Sequence, residues 1–151
     1  MNKTNEKRVL EVLPQLPPFR FVDEITHLTD DEIHGRYTFK KNEFYYEGHF
    51  KGNPVTPGVI LTECLVQIVL SCHSAHFILK DDPEVKKKYT QFLTSTEIKF
   101  YKAVYPGDTV YVLGKKEYFR HGKIKSTAVM TGSKNEVICR GVLSGLAFVN
   151  E

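Results

Sequence analysis

The feature that most constrains this chain is residues 58–79, GVILTECLVQIVLSCHSAHFIL, a stretch that is apolar almost all round. As a helix rising about 1.5 Å per residue it would run roughly 30 Å. A helix apolar on every side belongs inside a protein. It also carries Glu63, Gln67, His73 and His76, a polar load that argues against a membrane span. Thr56 followed by Pro57 reads as its start: a hydroxyl N-cap, then a proline at the first position, where its missing N–H costs nothing.

The rest of the chain has to wrap this helix. Residues 6–13 fit a short helix that stops before Pro14, and Pro14, Pro17 and Pro18 are expected to hold the backbone extended. Residues 19–28 and 32–40 contain apolar/polar alternations around the turn Thr29-Asp30-Asp31, a hairpin pattern. After the helix, residues 91–101, 109–119, 124–131 and 136–149 read as strands. Their separators are Pro106-Gly107-Asp108, His121-Gly122 and Gly132-Ser133-Lys134-Asn135. Lys86, Lys87 and Lys88 read as a solvated loop. Two early strands, one long helix and four late strands make an α+β chain, most simply a curved antiparallel sheet around the helix. Such a sheet leaves an open edge, so edge-to-edge pairing with a second copy is expected.

Composition narrows the class. With 151 residues, 41% of them hydrophobic, the chain suits one domain over 1–151. The net charge is +3 and the basic residues are scattered among acids, unlike the one-sided patch of a nucleic-acid binder. Cys64, Cys72 and Cys139 lack CxxC spacing, so neither a disulfide framework nor a zinc knuckle is indicated. Residues 1–16 have no apolar signal-peptide core, and a cytoplasmic location is expected.

Two residues stand out as chemistry. His49 lies in the Gly/Pro-rich stretch 44–58, FYYEGHFKGNPVTPG, where an irregular backbone can present an imidazole to a cavity. Glu63 follows on the second turn of the apolar helix, where a carboxylate is costly unless paired or functional. Read blandly, His49 is a loop histidine and Glu63 a snorkelling carboxylate. His73 and His76, three apart, could be a metal pair, but no third or fourth ligand is evident and no metal is expected. Cys64 reads as inert packing.

Residues 48–67, GHFKGNPVTPGVILTECLVQ, resemble the signature GHFPGxPVMPGVLxxEAxAQ of the beta-hydroxyacyl-[acyl-carrier-protein] dehydratases. Gly48, His49, Phe50, Gly52, Pro54, Val55, Pro57, Gly58, Val59, Glu63 and Gln67 all match. Pro18-Phe19-Arg20-Phe21-Val22-Asp23 is similar to that family's YPFLLVDR strand, and residues 99–108, KFYKAVYPGD, to its RFRRPVVPGD segment. The resemblance implies a hot-dog fold, dimeric or assembled further, as in a trimer of dimers. It implies a (3R)-3-hydroxyacyl-carrier-protein dehydratase with no cofactor, its substrate carried on the phosphopantetheine of acyl carrier protein.

By that resemblance His49 is the base, its second ring nitrogen held by a backbone carbonyl near Val55. Glu63 is the acid, contributed by the partner subunit. Such an elimination needs a base, an acid and a donor for the charge that grows on the thioester oxygen. The N–H of Gly58, an unpaired donor at a helix start, fits that last role. Gln67, one turn after Glu63, either orients it or is a buried amide bonded to backbone. Lys51, Lys99, Lys102 and Arg120 are the candidates for gripping an acidic carrier protein or its phosphate.

The related dehydratase–isomerases have Asp at the position of Glu63, so the chain resembles the dehydration-only branch. It departs from the signature at Lys51, where the family has Pro, and at Thr56, where it has Met. Gln15-Leu16-Pro17-Pro18-Phe19 also replaces the usual His-Arg-Tyr-Pro-Phe. These changes bear on substrate and pathway rather than on the acid–base pair. A hot-dog thioesterase and a non-catalytic acyl-chain binder are the alternatives.

Overall fold

The computed structural model describes residues 4–85 and 89–149; Lys86, Lys87 and Lys88 lie outside the described residues. Helix α1 (Asn5–Val12) packs beside the hairpin of β1 (Glu24–Leu28) and β2 (Glu32–Thr38). The apolar stretch forms one helix, α2 (Gly58–Asp81). Strands β3 (Tyr89–Phe100), β4 (Thr109–Arg120), β5 (Lys123–Thr131) and β6 (Val137–Val149) complete an antiparallel sheet in the order β1-β2-β4-β5-β6-β3. A curved six-stranded sheet around one central helix is the hot-dog arrangement.

The period-2 pattern explains which face meets the helix. Ile33, Tyr37 and Phe39 from the β2 stretch, Val110 and Val112 of β4, Ile124, Ala128 and Met130 of β5, and Leu143 of β6 are all buried. They enclose Leu65, Ile68, Val69 and Leu70 of α2, none of which reaches solvent. Two glycines set the depth of this contact. A Cβ at Gly114 would sit 2.7 Å from Val69 Cγ1, and one at Gly35 would sit 3.0 Å from Ile68 Cγ2. The middle of the helix, Val66–Cys72, is wound as a π-helix between two α segments, Gly58–Leu65 and His73–Asp81. By length and composition α2 could cross a membrane, but 78% of its most apolar window is buried inside the fold.

Three local expectations need correcting. Residues 19–23 are not strand: the Phe19 carbonyl and Phe21 N–H bond to the Gln67 side chain instead of a neighbouring strand. Residues 16–19 form a turn closed by the Phe19 N–H on the Leu16 carbonyl at 2.8 Å, not an extended run; two consecutive prolines offer no N–H to a ladder. Thr56 does not cap α2. Its hydroxyl is 2.6 Å from the Tyr46 hydroxyl, the helix begins at Gly58, and Pro57 takes the capping position.

Strands β1 and β3 are the two edges of the sheet, and α1 packs against β1; β3 is the longer and more exposed edge. It pairs only with β6, and of its twelve residues Tyr89 alone is buried. Phe92, Leu93 and Phe100 are exposed along it.

Candidate active site

The loop between β2 and α2 is irregular because its residues bond to one another rather than to a sheet. The Glu43 carboxylate accepts from the Tyr37 hydroxyl at 2.7 Å and the Tyr45 hydroxyl at 3.2 Å, anchoring the loop to β2. Burial and this carboxylate push both phenols well above their ordinary pKa, so each stays a donor. Phe50 and Asn53 exchange backbone hydrogen bonds around Gly52, whose φ of +72° suits a residue without a side chain. The Thr56 N–H then donates to the Val104 carbonyl at 2.8 Å, fastening the loop to the segment after β3.

His49 is fixed twice within this loop. Its carbonyl accepts the Val55 N–H at 2.9 Å, and its ring Nδ1 lies 2.8 Å from the Val55 carbonyl oxygen. A carbonyl can only accept, so Nδ1 carries the hydrogen, and in the neutral ring the lone pair is on Nε2. The ring stacks on Phe50 with centroids 4.0 Å apart.

Glu63 is partly buried on α2, and desolvation raises its pKa, opposed by a hydrogen bond from Gln67. Gln67 has no exposed surface and every polar atom of its amide is used. Nε2 donates to Glu63 Oε1 at 3.0 Å and to the Phe19 carbonyl at 2.9 Å, while Oε1 accepts the Phe21 N–H at 2.6 Å. The amide thus bonds to the backbone and to the Glu63 carboxyl at once. Arg20 supports the same segment, donating to the carbonyls of Gln15, Leu10 and Leu13. Neither Arg20 nor Glu43 was singled out in the sequence. The first lay hidden within a supposed strand, and the second's partners come from residues whose approach depends on the loop's path.

Gly58 opens α2, so its N–H has no intrahelical acceptor. A Cβ there would meet only the Phe100 ring, at an ordinary 3.4 Å. Within the chain, then, packing does not require a glycine. Nearby apolar side chains are unusually bare: Val59 is 75% exposed, and Phe50 and Phe100 are about half exposed. No hydrogen bond or ion pair among the described residues joins His49 to Glu63 within one chain.

The basic candidates separate. Lys51 lies beside His49 in the loop, and Lys99 and Lys102 sit at the Phe100 end of β3, which also packs on Gly58. Arg120 lies at the far end of β4, which at about 3.3 Å per residue is roughly 35 Å from Thr109. Within one chain it does not join the other three. His73 and His76 serve the β1–β2 turn: His73 Nε2 donates to the Thr29 carbonyl at 2.8 Å, and His76 Nε2 is 2.8 Å from Asp30 Oδ1. The Cys64 thiol is buried against the Phe21 carbonyl, and desolvation raises its pKa well above normal, which keeps it an unreactive thiol.

The sequence profile of the FabA-like domain matches residues 13–141. The chain belongs to the FabA-like family. It is 35% identical over 140 residues to a 3-hydroxyacyl-[acyl-carrier-protein] dehydratase FabZ of Caldicellulosiruptor saccharolyticus, covering 89% of this chain and 92% of that one. The FabZ dehydratase of Lactococcus lactis subsp. cremoris is 31% identical over 140 residues, covering 93% and 92%. Among solved structures, the dehydratase heterocomplex ApeI:P of Xenorhabdus doucetiae superposes with a TM-score of 0.77 at 14% identity, over 91% of this chain and 89% of its own. A hypothetical thioesterase with coenzyme A from Streptococcus pneumoniae gives 0.56 at 11% identity, over 85% and 87%. At such identities both structures speak to the fold alone. The FabA-like match includes the whole loop from Glu43 to Thr56, together with Glu63 and Gln67.

Proposed function

We propose that this FabA-like chain is a 3-hydroxyacyl-[acyl-carrier-protein] dehydratase in which His49 and Glu63 are the base and the acid. The single observation that carries the assignment of roles is the fixed tautomer of His49, with Nδ1 engaged on Val55 and Nε2 free to take a proton. His49 Nε2 removes the C2 proton of the (3R)-3-hydroxyacyl thioester. The C2–H electron pair becomes the C2–C3 double bond, and the C3–O bond breaks as Glu63 gives its proton to the departing hydroxyl. Water and the trans-2-enoyl thioester are the products.

Desolvation suits Glu63 to this task, because it favours the protonated, donating carboxyl. The Gln67 amide holds the carboxyl in one orientation and stabilises the anion left after transfer. The Gly58 N–H donates to the thioester oxygen as charge grows there. Since a Cβ at this position would meet nothing closer than 3.4 Å inside the chain, the glycine is explained by close approach of substrate.

The reading includes a homodimer, formed along β3, in which each Glu63 faces the His49 of the other copy. A long edge strand, paired on one side only and almost wholly exposed, supports this, as do the bare side chains of Val59, Phe50 and Phe100 beside the site. Assembly into a trimer of dimers would extend the same scheme. Residues 1–151 act as one cytoplasmic domain with no cofactor, the acyl group arriving on the phosphopantetheine of acyl carrier protein. Lys51, Lys99 and Lys102 contact the carrier, and Arg120 takes part only if assembly brings it alongside.

The test is ultraviolet absorbance of the enoyl thioester formed from a 3-hydroxyacyl thioester, wild type beside His49→Ala and Glu63→Gln. Loss of a general acid or base costs about 10²–10⁴-fold in rate, so both variants should be nearly silent with the fold intact. Release of free thiol without enoyl product would replace this reading with a thioesterase.

A further inference from the structure

The outer face of the β1–β2 hairpin carries a cluster that dehydration does not use. His27 pairs directly with His34 across the two strands, and their ring centroids are 4.7 Å apart. Glu32 precedes His34 by two residues, which places both on one face of β2, opposite the buried Ile33 and Gly35. His34 Nε2 is 3.3 Å from Glu32 Oε2. One ligand atom from each of the three side chains falls within 4.8 Å of the other two.

We propose that His27, Glu32 and His34 form a surface site for a divalent transition ion of the zinc class. Two imidazoles and one carboxylate are three protein ligands of the kind such ions take, water filling the remaining positions. With metal–ligand bonds of about 2.0–2.2 Å, tetrahedral ligand atoms stand roughly 3.3–3.5 Å apart. The His34–Glu32 pair already has that spacing, and His27 is exposed and free to turn about its side-chain bonds. Lys115 Nζ lies 3.9 Å from Glu32 Oε1, on a side chain 63% exposed that can swing into solvent when an ion enters. The ion would staple β1 to β2 just beyond the turn whose Thr29 carbonyl and Asp30 carboxylate hold His73 and His76 of the central helix. Binding therefore adds stability to the hairpin without touching the reacting groups.

The experiment uses the full chain without a histidine tag, stripped with chelator. Zn²⁺ is titrated calorimetrically, and thermal unfolding is followed with Zn²⁺ or Mg²⁺. The expected result is a saturable site of one ion per chain and a rise in Tm with Zn²⁺ but not with Mg²⁺, an ion that prefers oxygen ligands. His27→Gln and His34→Gln should each weaken binding on the order of tenfold or more. Both side chains stand off the core, so neither variant should change the circular dichroism spectrum. Absence of a saturable heat, or Zn²⁺ affinity unchanged in the double variant, would overturn the proposal. The latter result would assign the ion to His49 or His121.

Discussion

Gln67 donates to Glu63 across 3.0 Å of helix surface while its own oxygen accepts the Phe21 N–H at 2.6 Å. One buried amide thus joins the proposed acid to the irregular segment that follows α1. The segment gives up strand pairing to make this bond, and the carboxyl gains a fixed orientation.

Replacing Gln67 with Leu should separate the two roles of that amide. The buried Phe21 N–H loses its partner, at about 1–3 kcal/mol for a buried group left unpaired, read as a lower urea midpoint; the Phe19 carbonyl, only part-buried, can turn to water. Glu63 also loses the bond that opposes its desolvation. Its pKa should rise further, and the alkaline limb of the pH–rate profile, where the acid gives up its proton, should move to higher pH. A limb that stays in place would remove Gln67 from the mechanism and leave it a structural amide.

Gly58→Ala tests the oxyanion role apart from folding. The new Cβ meets Phe100 at 3.4 Å and nothing closer, so stability should hold or improve by about 0.4–1 kcal/mol through the less flexible unfolded chain. Dehydration should nevertheless fall by about 10²-fold, the usual cost of disturbing an oxyanion donor. Unchanged kcat/KM would place the thioester oxygen elsewhere.

His73 gives the fold a pH dependence of definite sign. Burial, only partly opposed by the bond to the Thr29 carbonyl, lowers its pKa from 6.5 to about 4. The unfolded chain therefore takes up a proton at higher pH than the folded one, and stability is lost as pH falls through that interval. The loss amounts to about 3 kcal/mol at pH 4. Asp30 lies outside this window: Lys80 and His76 hold its pKa at about 2, so its contribution disappears only in stronger acid. Urea midpoints measured from pH 7 down to pH 4.5 should drop in wild type and much less in His73→Gln.

The open edge of β3 predicts the assembly. Sedimentation should give a mass at least twice the 17.4 kDa of one chain. Leu93→Lys, placing a charge on the exposed edge, should shift it toward the monomer and lower activity together with mass. A monomer of full activity would show that each chain holds a complete site.

Much of this was legible in the sequence because it depends on local pattern. The unbroken apolar stretch of residues 58–79 demands burial wherever it lies, and the alternation within residues 32–40 marks the inner and outer faces that β2 shows. The resemblance of residues 48–67 to the dehydratase signature points to the family before any geometry is known. What the tertiary structure decided lies where a side chain competes with the backbone for a partner. Gln67 drew residues 19–21 out of the expected strand, and Tyr46 claimed the Thr56 hydroxyl that would otherwise have capped the helix. Arg120 reads as one of four equivalent cations until the length of β4 carries it away from the loop. Periodicity records only whether a residue is apolar; which polar group meets which is fixed when distant segments close on one another.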